Sequence, residues 1–149
     1  MYVGLLHLHN LTRWLVLIAA VVAVGVAIHG LVTRRPWTQL ARKSGTAFVI
    51  TLDVQLVLGL LLYVVSPIVR SGFADMATAM ADGAVRFFLV EHLVLMILAV
   101  AAAHVGSVLV RRAPSDRAKH ARAATWYSLA LALVLLAIPW WRPLFPGLA

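Results

Sequence analysis

The chain has 149 residues, of which 63% are apolar and only 12% charged, and its mean hydropathy is +0.96. A soluble domain carries roughly 45–50% apolar and about 25% charged residues, so this composition excludes a soluble enzyme, a disordered tail and a free nucleic-acid-binding domain. The formal charge is +8 and there is no cysteine, which excludes disulfides, thiolate metal sites, iron–sulfur clusters and thioether-linked haem. Length and composition together predict a single transmembrane domain over residues 1–149.

Four apolar stretches are long enough to cross the hydrocarbon core of a bilayer, which takes about 20 helical residues. Lipid offers no hydrogen-bond partner to the backbone, so each stretch must be a helix. The expected fold class is all-α, an integral membrane four-helix bundle of up-down-up-down topology. The predicted spans cover approximately residues 11–32, 47–66, 87–110 and 124–141.

The orientation follows from the links between the spans. Residues 33–46 carry four Lys/Arg and residues 111–123 carry five, whereas the opposite side carries three arginines and two aspartates. The positive-inside rule therefore predicts that both links are cytoplasmic and both termini lie outside. Topology accounts for the basic residues, so no nucleic-acid partner is expected, and His120 in the second link should be solvated. No Lys or Arg precedes Arg13, which argues against a cleaved signal peptide.

The outer segments contain a few further signals. The loop of residues 67–86 is expected to hold a short interfacial helix around Phe73 to Met80. Trp140, Trp141 and Phe145 are typical of an aromatic anchor at the outer end of span four. Span four has only a few hydroxyl side chains near its inner end and is expected to be a structural wall.

Candidate functional residues are the ionisable groups within the spans. A charged side chain at mid-span costs roughly 2.5–3.5 kcal/mol on insertion scales, so such groups usually face protein and have a partner. His7 and His9 lie at the outer mouth of span one, and the residues inside the spans are Arg13, His29, Asp53, Glu91, His92 and His104.

Arg13 and Glu91 are expected in the same outer layer, because spans one and three run in the same direction. A buried ion pair between them is the simplest way to keep both ionised. Two interpretations are open: the pair is a packing lock, or it helps to position a ligand.

The histidines fall into two layers, His9 with His92 in the outer half and His29 with His104 in the inner half. At about 100° per residue, His92 and His104 lie about 120° apart on span three. A b-type haem is held by two axial nitrogens from facing helices, which either pair could supply. The alternative is that each histidine simply bonds a backbone carbonyl or Asp53. For Asp53 itself, a proton relay, a neutral acid bonded to a histidine and a structural hydrogen bond are open.

Three segments are characteristic: LHLHNLTRW at residues 6–14, LDVQLVLGLLLYVVSP at 52–67 and RFFLVEHLVLMILAVAAAHVG at 86–106, with AIPWW at 137–141. Together they resemble small bacterial four-span membrane proteins labelled cytochrome b-like. The layout is distantly similar to that of diheme b-type cytochromes that exchange electrons with quinone. The resemblance implies haem b, quinone and the bacterial inner membrane, with His9 and His92 as the best ligand matches and His29 and His104 next. Spans two and four contain no histidine, unlike the diheme pattern.

The main functional hypothesis is a membrane redox subunit with one or two b-type haems between helices one and three and quinone as exchange partner. Arg13 and Glu91 would then position a haem propionate or a quinone carbonyl. The alternative is a non-catalytic accessory or assembly subunit of a membrane complex. A third hypothesis, an ion or metal carrier, is weaker. Small transporters usually have broken helices, and these spans contain no mid-span Pro that would break one. A bundle this thin also predicts assembly, as a homodimer or within a larger respiratory complex.

Overall fold

A computed structural model describes residues 1–142, which form α-helices, one π-helical turn and no strand. Four helices among these residues are long and apolar enough to cross a membrane, the third of them running continuously over Gly83–Arg111. The all-α four-helix bundle is thus confirmed, and the chain is a multi-pass membrane protein. The elements in chain order are α1 (Tyr2–Val32), α2 (Gln39–Val65), α3 (Pro67–Ala74), α4 (Met76–Ala81), α5 (Gly83–Arg86), the π-helical turn (Phe87–Glu91), α6 (His92–Arg111) and α7 (Asp116–Ala137).

The helices extend beyond the predicted spans at several ends. The first begins at Tyr2 rather than near residue 11, and the second at Gln39 rather than near residue 47. Hydropathy marks only the part of a helix that contacts hydrocarbon. Backbone hydrogen bonding continues into the flanking turns, where polar side chains are tolerated.

The four long helices form a ring in the order α1, α2, α6, α7. α1 packs against α2 and α7, while α6 packs closely against α7 and over a smaller area against α2. α1 and α6 are therefore diagonally opposite and face each other across the bundle axis. We call the end that carries residues 33–38 and 112–115 the basic end, and the opposite end, where α1 begins, the N-terminal end.

Small residues allow the close approach of α1, α6 and α7. Fully buried alanines occur on each of these helices, and on α7 they recur every seven residues, which keeps them on one face. Such residues are the usual means of close helix packing in lipid. They are Ala20, Ala99, Ala103, Ala123, Ala130 and Ala137.

Large apolar side chains cover the outside of the bundle. Ile18 and Val21 on α1, Val57 on α2 and Leu136 on α7 are among those more than half exposed. This reversal of the usual distribution of apolar side chains is what contact with a lipid bilayer requires.

At the basic end, the expectation that His120 is solvated is wrong. His120 is only 2% exposed, its ring packs edge-on against Trp37, and its Nε2 donates to the Pro36 carbonyl at 3.4 Å. The ring lies directly against Gly30, where a Cβ would come within 2.1 Å of it. The sequence shows only that His120 lies in a basic link. It gives no sign that Pro36 and Trp37 of the α1–α2 link fold over the ring.

At the N-terminal end, the expected single helix from Phe73 to Met80 is divided at Asp75. The Asp75 carboxylate accepts hydrogen bonds from the backbone N–H of Thr78 at 3.1 Å and from its hydroxyl at 2.6 Å, so it ends α3 and caps α4. Trp140 and Trp141 are exposed at the same end of the bundle. Phe145, the third residue of the expected anchor, lies outside the described residues.

Candidate functional site

A cavity of about 320 Å³ lies between the four long helices at the N-terminal end. This volume is within the range of small-molecule sites, about 300–1,000 Å³. Its walls are mainly apolar, from residues such as Val16, Leu62, Met96 and Val134. We call it the histidine cavity after two of its polar lining residues; the lining residues with polar side chains are Tyr2, His9, Asn10, Arg13, Gln55, Tyr63, Ser66, His92 and Arg142.

The structure brings His9 and His92 together across this cavity. Their ring centroids are 6.2 Å apart and their ring planes meet at 69°. His9 comes from α1 and His92 from the first residue of α6, and these helices are the diagonal pair that faces across the bundle axis. The contact therefore follows from the helix arrangement and from the common depth of the two residues.

The ring of His92 is oriented by a backbone carbonyl. Its Nδ1 donates to the carbonyl of Ala137 on α7 at 2.7 Å. Because a carbonyl oxygen can only accept, the proton of the neutral ring is on Nδ1, and Nε2 carries the lone pair. His92 is therefore prepared to act through Nε2 as an acceptor or a ligand.

His9 is held through its backbone rather than through its ring. Its carbonyl accepts a hydrogen bond from Gln55 Nε2 at 2.9 Å, and Gln55 in turn accepts one from the Thr12 hydroxyl. His9 Nδ1 is buried and has no hydrogen-bond partner within residues 1–142. Gly59 leaves room for this ring, since a Cβ there would lie 3.2 Å from His9 Cε1.

The expected ion pair between Arg13 and Glu91 is wrong. Glu91 Oε1 accepts instead from Arg86 Nε at 2.8 Å, and both side chains are nearly half exposed. The reason is the π-helical turn, in which residues five apart in sequence become neighbours. Arg13 is buried, lines the histidine cavity, and has its guanidinium 5.7 Å from the ring centroid of Trp14.

The inner pair, His29 and His104, is not brought together. His29 is exposed on α1, and His104 Nε2 bonds Asp53 Oδ1 at 2.8 Å. Both histidine side chains are exposed on the outside of the bundle, unlike His9 and His92. Helix α2, the neighbour of α6, places Asp53 within reach of His104. For His104 the simpler alternative, a bond to Asp53, is the one observed, and an inner haem site has no support.

The histidine cavity offers two imidazoles, from α1 and α6, as candidate ligands. No group of three or more His, Cys, Asp or Glu in the described part of the chain could hold an ion, whereas a haem supplies four of its own ligands and requires two. His9 and His92, whose ring centroids are 6.2 Å apart, are the two residues that would hold the haem iron. The bond from His92 Nδ1 to a carbonyl is also what orients most ligating imidazoles.

Several contributors to the site were not predicted from the sequence. Span four was expected to be only a wall, yet the Ala137 carbonyl orients His92, and Ile138 lines the cavity. Main-chain carbonyls carry no sequence signal. The Tyr63 hydroxyl donates to the Leu89 carbonyl at 2.7 Å and so ties α2 to the π-helical turn before His92. A glycine one turn from a buried glutamine, as in Gln55 and Gly59, was the available signal for the wall beside His9.

Comparison of the chain with protein-family models, with curated proteins and with solved structures finds no match.

Proposed function

We propose that this protein is a membrane redox subunit and that one b-type haem would be held in the histidine cavity by His9 and His92. The observation that carries the proposal is the pair of imidazole rings, with centroids 6.2 Å apart and ring planes at 69°, in a cavity lined by all four long helices. A bound haem supplies reversible one-electron transfer.

The surrounding residues have distinct roles in this proposal. The Ala137 carbonyl accepts the hydrogen bond from His92 Nδ1 and so leaves the lone pair of the ring on Nε2, the atom that would act as the ligand. Gly59 leaves space beside the ring of His9. Arg13 and Arg142 both line the cavity, and they supply positive charge for carboxylate groups of a ligand.

The proposal includes a location and partners. The basic links favour a cytoplasmic basic end in a bacterial inner membrane, so the histidine cavity would lie in the outer half of the bilayer with both termini outside. The resemblance to cytochrome b-like proteins favours quinone as the exchange partner and a larger respiratory complex as the setting.

A difference spectrum tests the haem site. The protein is purified in detergent from a haem-replete bacterial host, and haem per chain is measured as the pyridine haemochrome together with the reduced-minus-oxidised spectrum. We expect one haem per chain in the wild type, and loss of the b-type signal in His9→Ala and in His92→Ala. His29→Ala is the matched control, because this residue is exposed on the same helix as His9 and lies outside the cavity.

Helix content by circular dichroism and elution volume separate loss of ligand from loss of fold. A folded His92→Ala variant should regain a b-type spectrum when imidazole is added to fill the space of the lost ring. A colourless wild type from haem-replete cells refutes the proposal, as does a variant of His9 or His92 that binds haem normally.

One observation favours the second candidate, a non-catalytic accessory subunit of a membrane complex. Asp53 and His104 form a polar pair on the outer surface of the bundle, with side chains 43% and 51% exposed. A partner helix covering this pair would explain its position. In that case the wild type is colourless, and substitution of the pair changes assembly.

A further inference from the structure

The Asp53–His104 pair joins α2 and α6 on the outside of the bundle, away from the histidine cavity. Asp53 is ten residues from Lys43 and His104 seven from Arg111, so the pair lies about 10–15 Å inward from the basic residues at that end. This depth is well inside a hydrocarbon layer of about 30 Å.

The pair satisfies only part of its hydrogen-bonding capacity. Nε2 of His104 and Oδ1 of Asp53 bond each other at 2.8 Å. Within residues 1–142, Oδ2 of Asp53 and Nδ1 of His104 have no further hydrogen-bond partner, although both side chains are about half exposed. Lipid cannot supply the missing partners, and polar groups at this depth almost always face protein or a water-filled cavity.

We propose that a second copy of this chain covers the α2–α6 face and that the Asp53–His104 pair is the centre of a parallel homodimer. Two copies inserted with the same orientation can be related by a two-fold axis only along the membrane normal. That rotation leaves the depth of every residue in the membrane unchanged and reverses the lateral order of α2 and α6 in the second copy. Asp53 of each copy then faces His104 of the other, and the pair is complementary to itself.

The residues around the pair suit such a contact. Ile50 and Val57 on α2 lie about one turn from Asp53, and Ala101 and Val105 lie beside His104 on α6; all four are exposed. A small residue beside a polar one permits close approach of helices in lipid. The α2–α6 face is thus apolar around the Asp53–His104 pair, and its hydrogen-bond donors and acceptors lie at the depth of that pair.

Cysteine cross-linking in native membranes tests the geometry, because the chain contains no cysteine of its own. Ala101→Cys is one turn from His104 on the proposed interface. Val21→Cys is the matched control, since Val21 is 61% exposed on α1, diagonally across the bundle. We expect oxidation to give a disulfide-linked dimer for Ala101→Cys and none for Val21→Cys.

A residue exchange tests the role of the pair itself. In the Asp53→His variant, each histidine at the interface would face a histidine of the other copy. In the His104→Asp variant, each aspartate would face an aspartate of the other copy. Each single change should reduce the Ala101→Cys cross-link by about tenfold, as expected for the loss of a symmetric set of interhelical hydrogen bonds. The double exchange restores complementarity within and between copies and should restore the cross-link.

The mass of the purified protein gives the second readout. We expect twice the chain mass of 16.2 kDa for the wild type and for the double exchange. A wild-type monomer with no Ala101→Cys dimer overturns the proposal and leaves lipid or another subunit's helix as the occupant. Equal cross-linking at both cysteines, or single variants that dimerise normally, also overturns it. Haem content of the same samples is independent of this result, because neither residue of the pair lines the histidine cavity.

Discussion

Gly106 on α6 packs directly against Trp126 on α7. A Cβ on this residue would lie 2.5 Å from Trp126 Cβ and 3.3 Å from Trp126 Cγ. Trp126 Cβ is one bond from the α7 backbone, so rotation of the side chain does not move it away. To reach an ordinary contact of 3.4–4 Å, the two helices would have to separate locally by about 1 Å.

The size of the effect follows from two opposing contributions. Overpacking of this kind costs about 1–3 kcal/mol, while Gly→Ala in a helix interior gains up to about 1 kcal/mol in propensity. Gly25→Ala supplies the second contribution alone, because Gly25 is exposed on α1 and nothing lies within 4 Å of its Cβ position. The free energy of unfolding should therefore be lower for Gly106→Ala than for Gly25→Ala by about 1–3 kcal/mol.

Equilibrium unfolding in mixed micelles, with sodium dodecyl sulfate as the denaturing component, measures this difference. Far-UV circular dichroism and tryptophan fluorescence both follow the transition, and Trp126 lies at the altered contact. If Gly106→Ala is as stable as Gly25→Ala, the close α6–α7 contact is wrong, and with it the position of the Ala137 carbonyl that orients His92.

Two further variants test local contacts. Gln55→Leu should lower the free energy of unfolding by about 1 kcal/mol, because it removes the hydrogen bonds to the His9 carbonyl and from the Thr12 hydroxyl that join α2 to α1; unchanged stability in the same micelles would contradict this. Thr78→Val should raise the pKa of Asp75, which is now held below its ordinary value first by the Thr78 hydroxyl and then by the Thr78 N–H. Because the pKa is lowered in the folded state, the cap is complete above the unfolded pKa of about 3.9 and is lost as the pH falls through the folded pKa. Carboxyl chemical shifts measured during an acid titration would give both pKa values, and an equal pKa in the two proteins would refute the role of the hydroxyl.

The candidate site was only partly predictable from the sequence. His9 and His92 were matched because both lie in the outer half of their spans and because the resemblance to cytochrome b-like proteins made them the best ligand matches. Matching by depth failed for Arg13 and Glu91. A single π-helical turn between Phe87 and Glu91 changes the direction of the side chains, and α-helical periodicity contains no sign of it.

The predicted pairing of His29 with His104 in the inner layer failed for a different reason. His29 and His104 were matched in depth, but depth does not tell whether a side chain points into the bundle, and both of these residues are exposed. The ring order makes α2 the neighbour of α6, so His104 meets Asp53. Of the two roles that the sequence allowed for His104, haem ligand or hydrogen-bond partner of Asp53, this helix order permits the hydrogen bond.

The sequence by itself determined that the chain crosses a membrane four times as helices, because apolar length and the absence of backbone partners in lipid leave no other solution. Helix order around the ring, the π-helical turn and the carbonyl that orients His92 were decided only by the tertiary structure. Each depends on how whole helices pack through small residues such as Ala137 and Gly106, and that packing is shared among all four helices rather than encoded in one of them.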